Sequence, residues 1–236
     1  MIELNADIGE GYDDAALMPF VSRVSIACGG HAGDAASMVA ALRAARECDV
    51  VVGAHPGYPD RAGFGRRRVS AAPDQIVAWV REQTESLAEH ASALGMRLAH
   101  VKPHGALYNV AAVDAEVAAA VVRGVAAVDP GLVLIGLSGS LLIAEARAAG
   151  LAVLNEAFVD RCYNPSGRLV SRETPGAVLS DPRLAADQAL ALAQGRPLDT
   201  ADGGRLRVAA DTLCLHGDTP HALPIARAVH AALYRG

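Results

Sequence analysis

Short runs rich in β-branched and other apolar residues alternate along this chain with longer alanine-rich segments. The short runs read as buried strands and the long ones as helices packed on them, which predicts successive βα units around a parallel sheet. The pattern places strands at residues 2–6, 23–28, 50–54, 97–102, 132–137, 152–156 and 207–215. Polar punctuation marks the helices. Asp34 caps a segment reaching Cys48, Pro73 starts one that stops at Gly95, and Gly139 or Ser140 opens one that stops at Gly150. Asp181 before Pro182 and Thr219 before Pro220 give the same cap-then-proline start. With no break in composition, the repeats predict one domain over residues 1–236, a closed or nearly closed barrel, with a doubly wound open sheet as the alternative. The longest irregular stretch, Asp160 to Gly176, follows the sixth strand and is a candidate functional loop.

Polar residues gather where the strands end. In parallel α/β folds ligands bind at the carboxyl ends of the strands, because the loops there converge. Those ends carry Asp7, His31 with Asp34, His55, His104, Glu156 with Asp160 and Arg161, and His216 with Asp218; the fifth offers only Ser138 and Ser140. Side chains two apart on a strand share a face. On the first strand Glu3, Asn5 and Asp7 oppose Ile2, Leu4 and Ala6; on the fourth His100, Lys102 and His104 oppose Ala99, Val101 and Pro103. On the last, Thr212, Cys214 and His216 oppose Leu213 and Leu215. The polar faces are predicted to share the barrel interior, with His100 deeper, supporting Lys102 or filling space. His90, His221 and His230 fall in helical patterns and read as surface or interface residues.

Composition narrows the chemistry. Lys102 is the only lysine in a chain that otherwise uses arginine for positive charge, which suggests a compact ammonium placed for a purpose. A net charge of −5 with scattered arginines argues against a nucleic-acid surface. The start lacks a basic segment followed by a long apolar run, and no apolar run approaches a membrane span, so a soluble cytoplasmic protein is expected. Cys28, Cys48, Cys162 and Cys214 are widely spaced and read as reduced, mostly buried thiols. "CGGHAGD" and "GFGRRR" are weak candidates for phosphate cradles, and no G-x-x-x-x-G-K-[ST] loop is present.

The ordered motifs "LNADIGEGY", "IACGGHAGD", "GAHPGYPDRAGFGRR", "VKPHGALYN", "EAFVDRCY" with "GRLVSR", and "CLHGDTPHA" resemble the LamB/YcsF family from residue 3 to about 222. Gly30 departs from the family's usual phenylalanine, which would widen or loosen the pocket wall. The resemblance implies a distorted seven-stranded β/α barrel similar to the glycoside hydrolase/deacetylase group. It also implies the activity of the A subunit of 5-oxoprolinase: ATP-dependent opening of 5-oxoproline to L-glutamate, together with subunits B and C, with Mg²⁺ accompanying ATP and a homo-oligomer possible. For that reaction Asp7, assisted by His104 or His216, would orient or deprotonate water, and Lys102 would neutralise the oxyanion or a transferred phosphoryl group. Arg161 would clamp the substrate carboxylate, Glu156 and Asp160 would hold the cationic groups, and His31, His55, Asn109 and Asp218 complete the substrate-binding set. Two rival readings remain at this point. In one, some of Asp7, His31, His55, His104 and His216 bind a catalytic zinc in a deacetylase-like hydrolase. In the other, the chain only binds a lactam or carboxylate.

Overall fold

All seven barrel strands form close to where the apolar runs fall. A computed structural model describes residues 2–234. Strands β1 (Glu3–Ile8), β2 (Arg23–Ala27), β3 (Val51–His55), β4 (His100–Val101), β5 (Val133–Leu137), β6 (Val153–Phe158) and β9 (Thr212–Leu215) close into a parallel barrel in the order β1-β2-β3-β4-β5-β6-β9. The open-sheet alternative is thereby excluded. The last strand seals the ring between the first and sixth, with Asn5 opposite Cys214 and Glu156 opposite Thr212. Residues 207–215 are not one strand. Arg205–Leu206 (β8) pairs antiparallel with Leu198–Asp199 (β7) as a separate hairpin, and the chain re-enters the barrel only at Thr212.

Helices α1 (Ala35–Glu47), α2 (Pro73–Ala93), α3 (Gly105–Ala111), α4 (Ala115–Val128), α5 (Leu141–Ala148), α6 (Pro182–Ala193) and α7 (Ala222–Tyr234) cover the outside. The predicted caps act as read: Asp34, Ser140 and Asp181 each accept from a first-turn backbone N–H. The last helix starts at Ala222, just beyond the predicted Thr219-Pro220. The apolar core lies between the barrel and this jacket, where Leu4, Val24, Leu42, Val80, Leu87, Val101, Leu134 and Leu213 are almost completely buried. No described helix is long and apolar enough to cross a membrane.

The barrel lumen is polar, as strand parity requires. Near its lower end Arg23 meets Glu3 at 3.1 Å and His100 Nδ1 at 3.1 Å, while Ser25 lies 3.2 Å from His100 Nε2. His100 therefore fills the lumen with Arg23 and Ser25. Gly53 on β3 faces its imidazole, and any Cβ there would run into the ring. Asn5 above donates to Thr212 Oγ1 at 2.8 Å across the closing seam. Of the cysteines, Cys28 and Cys214 are buried, but Cys48 is exposed and Cys162 half-buried, so burial holds for only two.

Candidate active site

A cavity of about 480 Å³ opens at the carboxyl ends of the strands, where the topology predicts a ligand site. Lys102 lies at its floor, 2% exposed. Its ammonium is 2.9 Å from Asp7 Oδ1 and 2.7 Å from Glu156 Oε1, poorly aligned with either, and it donates to Asn5 Oδ1 at 3.3 Å and Cys214 Sγ at 3.2 Å. Burial opposes the charge, but Asp7 and Glu156 outweigh it and hold the ammonium pKa well above the usual value. Burial also raises the Asp7 carboxyl, yet His55 and Lys102 bring it down to about 2. Glu156 is pushed up by burial and accepts from Tyr108 Oη at 2.7 Å.

A second group forms one wall. His31 donates through Nε2 to Glu10 Oε1 at 2.9 Å and stacks flat on His104, ring centroids 3.5 Å apart. His55 and His104 approach to 3.0 Å through Nε2 and Nδ1. Burial lowers His55 to about 3, while the neighbouring His104, His31 and His55 overcome burial and hold Glu10 well below the usual carboxylate range. His31 stands behind Glu10, away from the cavity lining.

On the opposite wall His216 donates through Nδ1 to Asp160, 2.9 Å from both carboxylate oxygens, and stacks on Phe158. Asp160 thus holds His216, with Arg172 and Arg161 nearby, and Glu156 holds the lysine. Arg161 donates to the Val170 carbonyl at 2.6 Å and leaves its buried Nε unpartnered at the lining. Asp218 pairs with Arg66, and with Arg172 at 2.9 Å, at the rim. Asn109 lies exposed on the lining, its amide donating to the Gly105 carbonyl at 3.0 Å. Asp34 serves only as the exposed cap of α1. The stretch 160–176 is folded over the cavity, bridging Arg161 to Val178 and Tyr163 to Leu169, and supplies Arg161, Arg168, Ser171 and Arg172 to the lining.

Strand parity therefore brings Asp7, Lys102, His55, His104 and His216 together, but it misses Glu10, Tyr108 and Arg172. Glu10 lies past the end of β1, where alternation no longer applies; the flanking Gly9 and Gly11, both at positive φ, fold it back over the barrel mouth. The glycine-rich segments serve local structure. Gly29 and Gly33 turn their carbonyls to Arg61, and the Gly29 N–H is occupied by the Ala32 carbonyl. Phe64 and Gly65 instead pack on the histidines, with the Phe64 carbonyl accepting from His104 Nε2 at 2.9 Å. Gly30 does not widen the pocket either: a Cβ there would meet the Gln83 amide, which is bound to both the N–H and the carbonyl of Gly57.

Two groups hold potential metal-ligand atoms within 4.8 Å of one another, Glu10 with His31, His55 and His104, and Asp7 with Cys214 and His216. The cavity thus combines a buried ammonium at its floor, arginines on its lining, a histidine–carboxylate pair and a histidine–glutamate cluster, the ingredients for polarising a carbonyl and moving protons.

The chain is 48% identical to the 5-oxoprolinase A subunit of Heliobacterium modesticaldum, over 98% of this chain and 94% of the relative. It is 49% identical to the corresponding A subunit of Chloroflexus aggregans, over 98% and 94%. The crystal structure of a lactam utilization protein from Thermus thermophilus superposes with a TM-score of 0.93 at 44% identity, covering 99% of this chain and 96% of that one. Residues 2–236 match the LamB/YcsF family, and with full-length relatives this similar the chain belongs to that family.

Proposed function

We propose that this protein is the A subunit of a 5-oxoprolinase, opening the lactam of 5-oxoproline to L-glutamate. The carrying observation is the buried Lys102 ammonium between Asp7 and Glu156 at the floor of a cavity that also holds the His216–Asp160 pair. Relatives named as 5-oxoprolinase A subunits, similar over nearly the full length, supply the substrate.

Hydrolysing a lactam needs an activated water, a stabilised carbonyl oxygen and a proton for the leaving nitrogen. Asp160 keeps the His216 proton on Nδ1, leaving Nε2 as the acceptor for a water proton. Asp7, ionised and within 4.8 Å of a His216 ring nitrogen, is close enough for one water to touch both. In this reading Asp7 orients the water, His216 takes its proton and later returns it to the ring nitrogen as the C–N bond breaks. Lys102 faces the carbonyl oxygen, and the free Nε of Arg161 takes the substrate carboxylate. ATP with Mg²⁺ is the co-substrate: its terminal phosphoryl moves to the lactam oxygen, and water addition and C–N cleavage then leave a γ-glutamyl phosphate. A second water releases its phosphate, so lactam, ATP and two waters yield L-glutamate, ADP and phosphate. Arg66, Arg168 and Arg172 on the lining suit the added negative charge. Subunits B and C complete the enzyme, in keeping with the lack of a phosphate-binding loop.

The test is glutamate release from 5-oxoproline by the purified chain, with and without ATP, Mg²⁺ and the B and C subunits. Turnover is expected only in the complete mixture, and Lys102→Met should lower it by about 10²–10³-fold. No glutamate from any mixture would remove 5-oxoproline as substrate.

A further inference from the structure

The wall of Glu10, His31, His55 and His104 is not used by the hydrolytic reading, and its hydrogen positions follow from its partners. His55 Nδ1 lies 2.7 Å from the Lys102 carbonyl, and His104 Nε2 lies 2.9 Å from the Phe64 carbonyl. A carbonyl oxygen only accepts, so both of those nitrogens carry hydrogen. In the neutral rings, His55 Nε2 and His104 Nδ1 are then bare lone pairs, and they face each other across 3.0 Å. Glu10 Oε1 is 3.2 Å from His104 Nδ1 and 3.8 Å from His55 Nε2, and Asp7 Oδ2 is 3.4 Å from His55 Nε2. His31 uses its Nε2–H to fix Glu10 at this point, at 2.9 Å.

Acceptor atoms from His55, His104 and Glu10 thus converge with no donor between them, and a further one, from Asp7, lies against His55. Such a cluster is repulsive unless a positive species sits at its centre. The charge balance leads the same way, because Asp7 and Glu156 share the Lys102 ammonium while Glu10 is paired only with histidines. Imidazoles whose outer N–H rests on a backbone carbonyl are oriented as metal-bound histidines are. Two imidazoles and a carboxylate suit zinc and its neighbours in the first transition row. Asp7, Glu10, His55 and His104 also line the cavity, so a bound ion would keep one side toward the substrate.

We propose that His55 Nε2, His104 Nδ1 and the Glu10 carboxylate bind one divalent transition-metal ion, with Asp7 beside it and His31 positioning Glu10. Asp160, Arg161 and the loop over the cavity take no part.

The test is titration of chelator-treated full-length protein with Co²⁺, followed by visible absorption and calorimetry, with Zn²⁺ as competitor. One equivalent of Co²⁺ with ligand-field bands, displaced by Zn²⁺, is expected. Glu10→Gln and His104→Gln should each weaken binding by at least about tenfold. His216→Gln, on the other wall, should bind as the parent does. Substoichiometric uptake by the parent overturns the site, as does full affinity in folded Glu10→Gln and His104→Gln, or loss confined to His216→Gln. Should the variants fail to fold, the histidine ¹⁵N resonances of the parent decide: Zn²⁺ must shift His55 Nε2 and His104 Nδ1 and leave His100 unmoved, and unchanged resonances overturn the site. Binding is read without lactam, ATP or partner chains, so it succeeds or fails separately from the hydrolytic reading.

Discussion

His216 and Asp160 make the sharpest residue-scale prediction. Replacing Asp160 with Asn keeps the shape but removes the charge that holds the His216 proton on Nδ1, so kcat should fall by about 10²–10⁴-fold in the complete enzyme. The same carboxyl also links stability to pH. Burial would raise its pKa, but His216 and the nearby arginines lower it below 3.8, so its contribution is complete above that value and fades as pH falls through the folded-state pKa. Urea midpoints measured from pH 6 downward should show the parent losing its advantage over Asp160→Asn only at the acid end. Asp7 was legible in the sequence because β1 pleats, and Lys102 and His104 because the chain beyond β4 stays extended, with their N–H groups on the Ala54 and Pro56 carbonyls, so the alternation of faces continues. Glu10 escaped because its place depends on two left-handed glycines, a tertiary path that no periodicity encodes.

At the scale of elements, the lumen sets what each strand can carry. Gly53 is bare because the His100 ring occupies the place of its side chain. Gly53→Ala should therefore destabilise the protein by about 1–3 kcal/mol in urea unfolding. In the double variant with His100→Ala the combined cost should be smaller than the sum of the two, since the collision is gone. Strand positions could be read from apolar runs, but strand limits could not. Residues 97–102 shrink to a two-residue ladder, and 207–215 shortens to Thr212–Leu215, beginning just after Asp211 binds the backbone and amide of Asn155. The stretch from Asp160 to Gly176 looked irregular because its pairing is carried by isolated bridges and by Asn164, whose side chain accepts from Ser166 and Arg168.

For the whole molecule, a closed ring has no free edge among its seven strands, so its ladder can open only by breaking the cylinder. The covering loop is held by fewer backbone bonds. Native-state hydrogen exchange should therefore show barrel amides such as Val24, Ala54 and Leu134 exchanging only through global unfolding, and Gly167 and Ala177 through local opening at much lower free energy. The seam between β1 and β9 also bears on synthesis. Asn5 and Thr212, joined across it, stand 207 residues apart in the chain. At about 5–20 residues per second, Asn5 waits roughly 10–40 s after translation for its partner to be made. During that interval β1 carries an unsealed flank and Lys102 has no Cys214 beside it. The nascent chain therefore cannot complete its lysine pocket until Thr212 and Cys214 have been made, and β1 is the segment a chaperone would shield.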